Sequence, residues 1–277
     1  MVGMDRVVPR SAKCNRGGSG TFGRMTDPRQ RRSGLRAVPA AIGRGRDRLT
    51  GVFQHRYPTV AVTGMTGVGK SELVEHLSGR PRAEGVPEAG SAVMERRVRR
   101  DPRLRGFRFR VVPGENAATR LGALDEVFHD DPVDGVLHVV ANGYATGRRT
   151  AGTTGAVEAD REEQLARELE DWTVTAHRIA SMAVRRAKPT WLVIVVTKVD
   201  LYPDDVDAVV RSYSPGSGTP FGDRLDELRA LAGGAKLSID VLPVCSHLAP
   251  GSAIRPKQRD AYLAALEARM GQLAGHV

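Results

Sequence analysis

The chain has 277 residues, a formal net charge of +10 and two cysteines. Its length allows one large α/β domain or two small ones. The sequence contains no apolar run near the roughly 18 residues that span a bilayer, and its first residues lack the apolar segment of a secretory signal. We therefore expect no transmembrane segment and a cytoplasmic protein. The two cysteines, Cys14 and Cys245, lie far apart in the sequence. We therefore expect neither a disulfide framework nor a zinc cluster.

The basic charge is concentrated at the start of the chain. Residues 1–50 carry 12 Lys/Arg against 3 Asp/Glu, whereas the remainder carries 30 against 29. This segment is rich in Arg and Gly without apolar periodicity, so we predict a disordered tail over residues 1–50 and a domain over residues 51–277. The tail could contact nucleic acid or an anionic membrane weakly, or it could be a solvated extension without function. The Arg, Ala and Gly bias suggests a bacterial, GC-rich genome.

The first predicted strand leads into a glycine-rich loop. Thr59–Thr63 is a β-branched run, residues 64–71 read G-M-T-G-V-G-K-S, and residues 72–77 have the apolar spacing of a helix. In the pattern G-x-x-x-x-G-K-S, backbone N–H groups surround a polyphosphate, Lys70 reaches the outer phosphates and the Ser71 hydroxyl ligates Mg²⁺. The helix start also favours an anion. A chance turn is the alternative, although every fixed position is filled.

Further apolar runs alternate with helical patterns along the chain. The predicted strands cover residues 92–98, 107–112, 135–141, 191–196 and 239–244, and the predicted helices cover residues 158–188 and 257–273. This order predicts a three-layer α/β fold, with a mostly parallel central sheet of about six strands and helices on both faces. The strand from Phe107 alternates apolar and basic residues, so we place it half-buried and nearer an edge. Trp172 and Trp191 are predicted core residues.

A second motif follows the strand over residues 191–196, at the edge where open α/β sheets bind ligands. Thr197-Lys198-Val199-Asp200 has the arrangement [N/T]-K-x-D and, together with the phosphate loop, resembles the guanine-recognition motif of the TRAFAC-class P-loop GTPases. The resemblance implies that the Asp200 carboxylate accepts from guanine N1–H and the exocyclic amine. It also implies that Lys198 lies against the base and that Thr197 supports its backbone. GTP or GDP with Mg²⁺ is the expected ligand.

The resemblance covers about residues 57–275 and departs from the family pattern in the third motif. Where such GTPases carry D-x-P-G, this chain has Val111-Val112-Pro113-Gly114. By the resemblance, Gly114 can still offer its N–H to the γ-phosphate, but the Asp that holds a Mg²⁺-bound water is absent. Glu115 stands where many relatives place a water-orienting Gln. We therefore expect slow intrinsic hydrolysis.

Three further segments complete the comparison with the family. Cys245-Ser246-His247 replaces the usual Ser-Ala motif, and the resemblance implies that the Ser246 N–H reads guanine O6. Ser91, at the end of the loop over residues 80–91, is the candidate for the switch Thr. Arg148 and Arg149 could act as a finger toward the γ-phosphate, or their loop could be only a flexible connection.

These patterns define the expected site and activity. The candidate catalytic residues are Lys70 and Gly114, and the candidate metal ligand is Ser71. The candidate nucleotide-binding residues are Gly64, Met65, Thr66, Gly67, Val68, Gly69, Lys70, Ser71, Glu72, Thr197, Lys198, Asp200, Cys245 and Ser246. We predict a GTP-binding molecular switch with slow or partner-activated hydrolysis and an unidentified protein effector or activator. The alternatives are an ATP-dependent kinase or other phosphotransferase, and a nucleotide-binding scaffold without turnover.

Overall fold

The computed structural model describes residues 57–79, 94–99, 106–114, 117–145, 160–248 and 251–275. The predicted basic tail, the loop over residues 80–91, Glu115, and the pair Arg148 and Arg149 lie outside the described residues and stay predictions. Within the described parts, none of the helices is both long and apolar enough to cross a membrane.

Helices and strands alternate along most of the chain. The strands are β1 (Thr59–Thr63), β2 (Glu95–Arg99), β3 (Phe107–Val111), β4 (Gly135–Val140), β5 (Thr190–Val196) and β6 (Leu237–Pro243). The helices are α1 (Lys70–Leu77), α2 (Ala117–Asp125), α3 (Arg161–Arg185), α4 (Val206–Ser212), α5 (Pro220–Ala232) and α6 (Pro256–Leu273). A π-helical turn, Glu126–Asp130, continues α2, and a short 3₁₀ turn, Val199–Leu201, follows β5.

The strands form one sheet in the order β2-β3-β1-β4-β5-β6. β2 pairs antiparallel with β3, and each other neighbouring pair is parallel. β1, β4 and β5 are therefore adjacent central strands with their carboxyl ends at one edge. Since the phosphate-loop sequence follows β1 and the Thr197 motif follows β5, this topology brings both motifs to the same edge of the sheet.

Two hydrophobic clusters cover the two faces of the sheet. On one face, α1 and α6 pack through Leu73 and Leu266 against the side chains of β1, β4 and β5 that point toward them. On the other face, α2, α3 and α5 contribute Leu124, Trp172 and Leu225 to the larger cluster. Successive side chains of each central strand point to opposite faces and pack into one cluster or the other, as expected for a strand buried on both sides. The predicted three-layer P-loop fold is confirmed.

The predicted strands are all present, with ends shifted by a few residues. β3 ends at Val111 and β5 begins at Thr190, while β6 runs two residues earlier than predicted at its start. The expected alternation in β3 is confirmed, because Phe107 and Phe109 are buried whereas Arg108 is exposed. β3 is nevertheless not the outermost strand, since β2 lies outside it. Helices α2, α4 and α5 were missed by the sequence patterns.

We expect Gly135→Ala to destabilise the fold. A Cβ on Gly135, the first residue of β4, would lie 2.1 Å from ring atoms of the buried Trp191 on the neighbouring strand. Relieving such a clash in a packed core typically costs about 1–3 kcal/mol. Thermal or chemical unfolding measures this loss. The matched control is Gly122→Ala in α2, where the added methyl has open space and alanine favours the helix; equal stability of both variants would contradict the prediction.

Candidate functional site

The predicted phosphate loop, residues 64–71, connects β1 to the first turn of α1. Gly64, Gly67 and Gly69 have φ angles of 131°, 80° and 92°, a region that strains residues with a Cβ. At Gly64, a Cβ would also come within 2.3 Å of the Val139 carbonyl oxygen on β4. The loop can therefore cross the end of the neighbouring strand because glycine occupies this position.

Lys70 begins α1 and is 8% exposed. Its Nζ donates to the carbonyl oxygens of Gly64 and Met65, each at 2.8 Å. The ammonium group consequently lies inside the curve of the loop, next to the positive end of the helix dipole. Ser71 and Glu72 follow in the first turn and are half-buried.

The third motif contacts the phosphate loop at Gly114. The position that a Cβ of Gly114 would occupy is 2.6 Å from Thr66 N, 2.6 Å from Thr66 Oγ1 and 2.8 Å from Lys70 Nζ. A side chain at residue 114 would therefore collide with the loop backbone. The structure brings together the two candidate catalytic residues, Lys70 and Gly114. Three atoms that can donate hydrogen bonds also lie around one small volume beside Gly114.

Val111 stands where the sequence resemblance would place an aspartate. It is the last residue of β3, is 2% exposed, and belongs to the cluster beneath α1. An apolar side chain packed in the core cannot accept from a metal-bound water. Among the described residues, no group of three or more His, Cys, Asp and Glu could hold a metal ion.

Thr197 links the two predicted motifs directly. It follows β5, is 3% exposed, and its Oγ1 lies 2.8 Å from the Val68 carbonyl oxygen and 2.9 Å from the Val140 carbonyl oxygen. Its single hydroxyl proton is thus shared between the phosphate loop and the end of β4. The backbone N–H of Thr197 also donates to Val140 O at 2.8 Å. The phosphate loop and the motif at residues 197–200 are adjacent parts of one site.

We expect Thr197→Val to destabilise the contact between the phosphate loop and the segment at residues 197–200. The isosteric substitution removes the donor to the buried Val68 carbonyl, whereas Val140 O keeps its bond from the backbone N–H. An unpaired buried carbonyl typically costs about 1–3 kcal/mol, so the free energy of unfolding should fall by that amount. Chemical denaturation measures the loss. Thr197→Ser keeps the hydroxyl and should stay close to the parent protein; a serine variant as unstable as the valine variant would refute the role of the hydroxyl.

Lys198 and Asp200 continue the motif beyond β5. Lys198 has a left-handed backbone conformation, with φ 59°, and its Nζ donates to the Tyr144 carbonyl oxygen at 2.8 Å. The buried Val199 then fixes the 3₁₀ turn in the core, which leaves the half-buried Asp200 at the sheet edge. The lysine is therefore held toward the loop after β4, and the carboxylate stands beside it.

The segment at residues 245–247 also reaches this site. The Cys245 Sγ lies 3.5 Å from Asp200 Oδ1 and against the His247 carbonyl oxygen. Burial, reinforced by the nearby Asp200 charge, raises the pKa of the Cys245 thiol to about 12, so it remains a protonated donor at neutral pH. The His247 ring approaches Glu72 of α1, with Nδ1 3.9 Å from Oε1. Ser246 between them is buried, and its Oγ has no hydrogen-bond partner in the described part of the chain.

Sequence reasoning missed Glu168, a buried carboxylate on α3. It is 2% exposed and accepts hydrogen bonds from Ala141 N at 2.9 Å, Gly143 N at 3.3 Å and Tyr213 Oη at 2.7 Å. Burial raises the pKa of Glu168, and these three donors oppose that rise. The carboxylate thereby fixes the turn after β4. Its signal in the sequence is a glutamate within the apolar stripe of a long amphipathic helix.

An aromatic stack extends from the same turn. Tyr144 lies parallel to Tyr202 with ring centroids 5.5 Å apart, and the Arg161 guanidinium is 5.3 Å from the Tyr144 ring centroid. Arg161 also donates to the Asn142 carbonyl oxygen at 3.1 Å, and Tyr202 Oη donates to the Thr197 carbonyl oxygen. Because Lys198 donates to Tyr144, this stack supports the backbone on both sides of the candidate base site.

Comparisons with known proteins concern the fold. No protein-family model matches the sequence, and no curated protein matches it. The mammalian SRP receptor is 14% identical, with 78% of this chain and 99% of that chain covered and a TM-score of 0.49. Toc33 from Arabidopsis thaliana is 15% identical; the match covers 82% of this chain and 88% of Toc33, with a TM-score of 0.43. The G domain of the T. maritima FeoB iron transporter is 15% identical; the match covers 79% of this chain and 99% of that domain, with a TM-score of 0.38.

The chain's own topology identifies its fold. The phosphate-loop sequence joins β1 to α1, β2 alone is antiparallel in the described sheet, and the Thr197 hydroxyl joins the end of β5 to the phosphate loop. The chain has the fold of the TRAFAC-class P-loop GTPase G domain.

Proposed function

We propose that the protein binds GTP and GDP and acts as a molecular switch with slow or partner-activated hydrolysis. The observation that carries the proposal is the Thr197 hydroxyl, which lies 2.8 Å from the Val68 carbonyl oxygen of the phosphate loop. This contact joins the loop proposed to hold phosphate to the segment that carries Asp200, the residue proposed to choose the base. One nucleotide could therefore touch both.

Hydrogen-bonding groups at the two ends of the site suit a nucleotide. At the phosphate end, Lys70 Nζ and the Thr66 hydroxyl approach the same point beside Gly114. At the base end, Asp200 is an acceptor for guanine N1–H and its amine, and the nearby Ser246 supplies a backbone N–H. The buried hydroxyls of Thr66 and Ser246 have no partner within the described protein. A guanine nucleotide would supply acceptors at both ends.

Mg²⁺ fits this donor set only in part. Ser71 is the residue that would ligate the ion, and Val111 offers it nothing. Mg²⁺ commonly keeps several waters and binds through one or two protein groups together with substrate phosphates, so a single hydroxyl is compatible with binding. When bound, the ion would neutralise phosphate charge. The missing aspartate is the reason that we propose slow intrinsic hydrolysis.

The switch would operate through Gly114. Its contact with Thr66 and Lys70 must change when a terminal phosphate enters or leaves, because the three groups already crowd one point. That movement would alter the surface offered to a protein effector. We further propose that the basic residues 1–50 contact nucleic acid or an anionic membrane weakly, and that the protein works in the cytoplasm, where GTP is available.

A scaffold without turnover is the second candidate, and the buried Val111 favours it over a fast hydrolase. An ATP-dependent phosphotransferase is the third, and in it Asp200 would have no role in choosing the base. Nothing in the described geometry favours that alternative.

Isothermal titration of the purified chain with Mg²⁺ and GTP, GDP, ATP or ADP tests the proposal. We expect binding of both guanine nucleotides and much weaker binding of the adenine nucleotides. Tighter binding of ATP than GTP, or no nucleotide binding, would overturn it. Phosphate release under saturating GTP then separates a slow hydrolase from a scaffold, which would bind GTP and release none.

A further inference from the structure

The Thr66 side chain has a position that the phosphate-loop pattern does not require. The pattern G-x-x-x-x-G-K-S leaves this residue unspecified, and the glycines, Lys70 and Ser71 carry its established roles. The hydroxyl of Thr66 is buried and has no hydrogen-bond partner among the residues that the structure describes. A loop threonine usually bonds to nearby backbone groups, and within those described residues this one has no such bond.

The Thr66 hydroxyl lies close to both Gly114 and the Lys70 ammonium group. Thr66 Oγ1 is 2.6 Å, and Lys70 Nζ 2.8 Å, from the point where a Cβ of Gly114 would stand. Lys70 already donates to two carbonyl oxygens of the loop. The hydroxyl therefore borders the space between the phosphate loop and the third motif, beside a cation, where a negatively charged oxygen would be favoured.

We propose that the Thr66 hydroxyl binds an oxygen of the terminal phosphate and thereby distinguishes GTP from GDP. This inference rests on the proposed function. The γ-phosphate oxygen enters beside Gly114, which moves away from the loop, and accepts from the Thr66 hydroxyl and the Lys70 ammonium. A diphosphate lacks that oxygen, so the hydroxyl contributes to triphosphate binding alone. The hydroxyl would thus add a contact to the γ-phosphate in a chain whose third motif carries Val111 instead of the aspartate that holds a Mg²⁺-bound water.

The packing around Thr66 supports a role for its hydroxyl rather than its methyl group. The atoms nearest the shared point are polar: Thr66 N, Thr66 Oγ1 and Lys70 Nζ. A residue that only filled space there would be better served by valine, which has the same shape and leaves no buried hydroxyl unpaired. The alternative, that the hydroxyl merely packs against Gly114, predicts no difference between GTP and GDP when it is removed.

Titration of three full-length variants with Mg²⁺ and GDP, or with an imido-bridged GTP analogue that resists hydrolysis, tests the inference. Thr66→Val removes the hydroxyl and keeps the shape, Thr66→Ala removes the hydroxyl with less bulk, and Thr66→Ser keeps the hydroxyl. We expect the valine and alanine variants to lose at least about tenfold in affinity for the triphosphate, which is typical of a hydrogen bond to a charged group. Their affinity for GDP should change by less than about twofold, and serine should retain the parent ratio.

The outcomes separate this inference from the proposal beneath it. If the parent chain binds guanine nucleotides but valine and alanine leave the ratio of GTP-analogue to GDP affinity unchanged, the role of Thr66 is refuted and the proposed function stands. If the parent chain binds neither nucleotide, both are refuted. The alanine variant keeps the test decisive if valine perturbs the loop, since thermal unfolding identifies a variant that has lost its fold.

Discussion

Asp200→Asn should change the preferred base from guanine to xanthine. We expect the affinity for GTP to fall by at least about tenfold and the affinity for xanthosine triphosphate to rise above it. The Asp200 carboxylate can accept from both guanine N1–H and the exocyclic amine. An asparagine presents one acceptor and one donor, which match the N1–H and the 2-oxo group of xanthine. Competition titrations with the two triphosphates measure this exchange.

The structure provides a matched control for that experiment. Asp204 is an exposed acid four residues further along the chain, so Asp204→Asn removes the same charge near the same turn. We expect this variant to keep the parent preference for GTP. An Asp200→Asn protein that still prefers GTP to xanthosine triphosphate would remove Asp200 from base recognition, and the alternative of an ATP-dependent phosphotransferase would then be tested next.

The three central strands β1, β4 and β5 were predictable from sequence because they are almost uninterrupted apolar or β-branched runs. β5, for example, contains five consecutive aliphatic residues after Trp191 and is buried throughout. The missed helices lack such a signal. α4 has only seven residues, and α2 begins with alanines and contains Gly122. Tertiary packing against the long helix α3 and the sheet stabilises elements whose own sequences are weakly periodic.

The candidate site was predictable where a fixed pattern specifies residue types. The spacing of the glycines and Lys70 fixes the loop, and the topology of parallel strands brings residues 197–200 to the same edge. Contacts between segments far apart in sequence carry no local pattern. Examples are the contact of Gly114 with Thr66 and the hydrogen bonds that Glu168 accepts from the turn after β4. Neither contact could be predicted from the sequence, because each depends on how separate elements are positioned relative to one another.

A common physical feature links these unpredicted contacts. Glu168 holds the turn after β4, Tyr144 in that turn accepts from Lys198, and Thr197 holds the phosphate loop. The groups that would bind a nucleotide are thus positioned by buried hydrogen bonds to neighbouring segments. Such preorganisation reduces the conformational entropy lost on binding. A substitution at a supporting residue should therefore weaken the binding of both GTP and GDP. A substitution that removes the Thr66 hydroxyl should weaken the binding of GTP alone.

Lys70→Ala should weaken binding of both GTP and GDP, with the larger loss for GTP. The Lys70 ammonium lies inside the phosphate loop and within 2.8 Å of the point beside Gly114 that we assign to a terminal phosphate oxygen. Loss of one charge-assisted hydrogen bond corresponds to roughly ten- to a hundredfold in affinity, and a lysine near two phosphates makes more than one such contact. Titration with each nucleotide in the presence of Mg²⁺ measures both losses.

Lys188→Ala serves as the charge control, because Lys188 is exposed between α3 and β5. The double variant Lys70→Ala with Thr66→Val adds a sharper test. If both side chains bind the same phosphate oxygen, the two losses in GTP affinity should not add, since neighbouring groups that share a ligand atom are energetically coupled. Strictly additive losses would place the Thr66 hydroxyl and the Lys70 ammonium on different atoms. Unchanged affinities in Lys70→Ala would show that the loop does not hold phosphate at all.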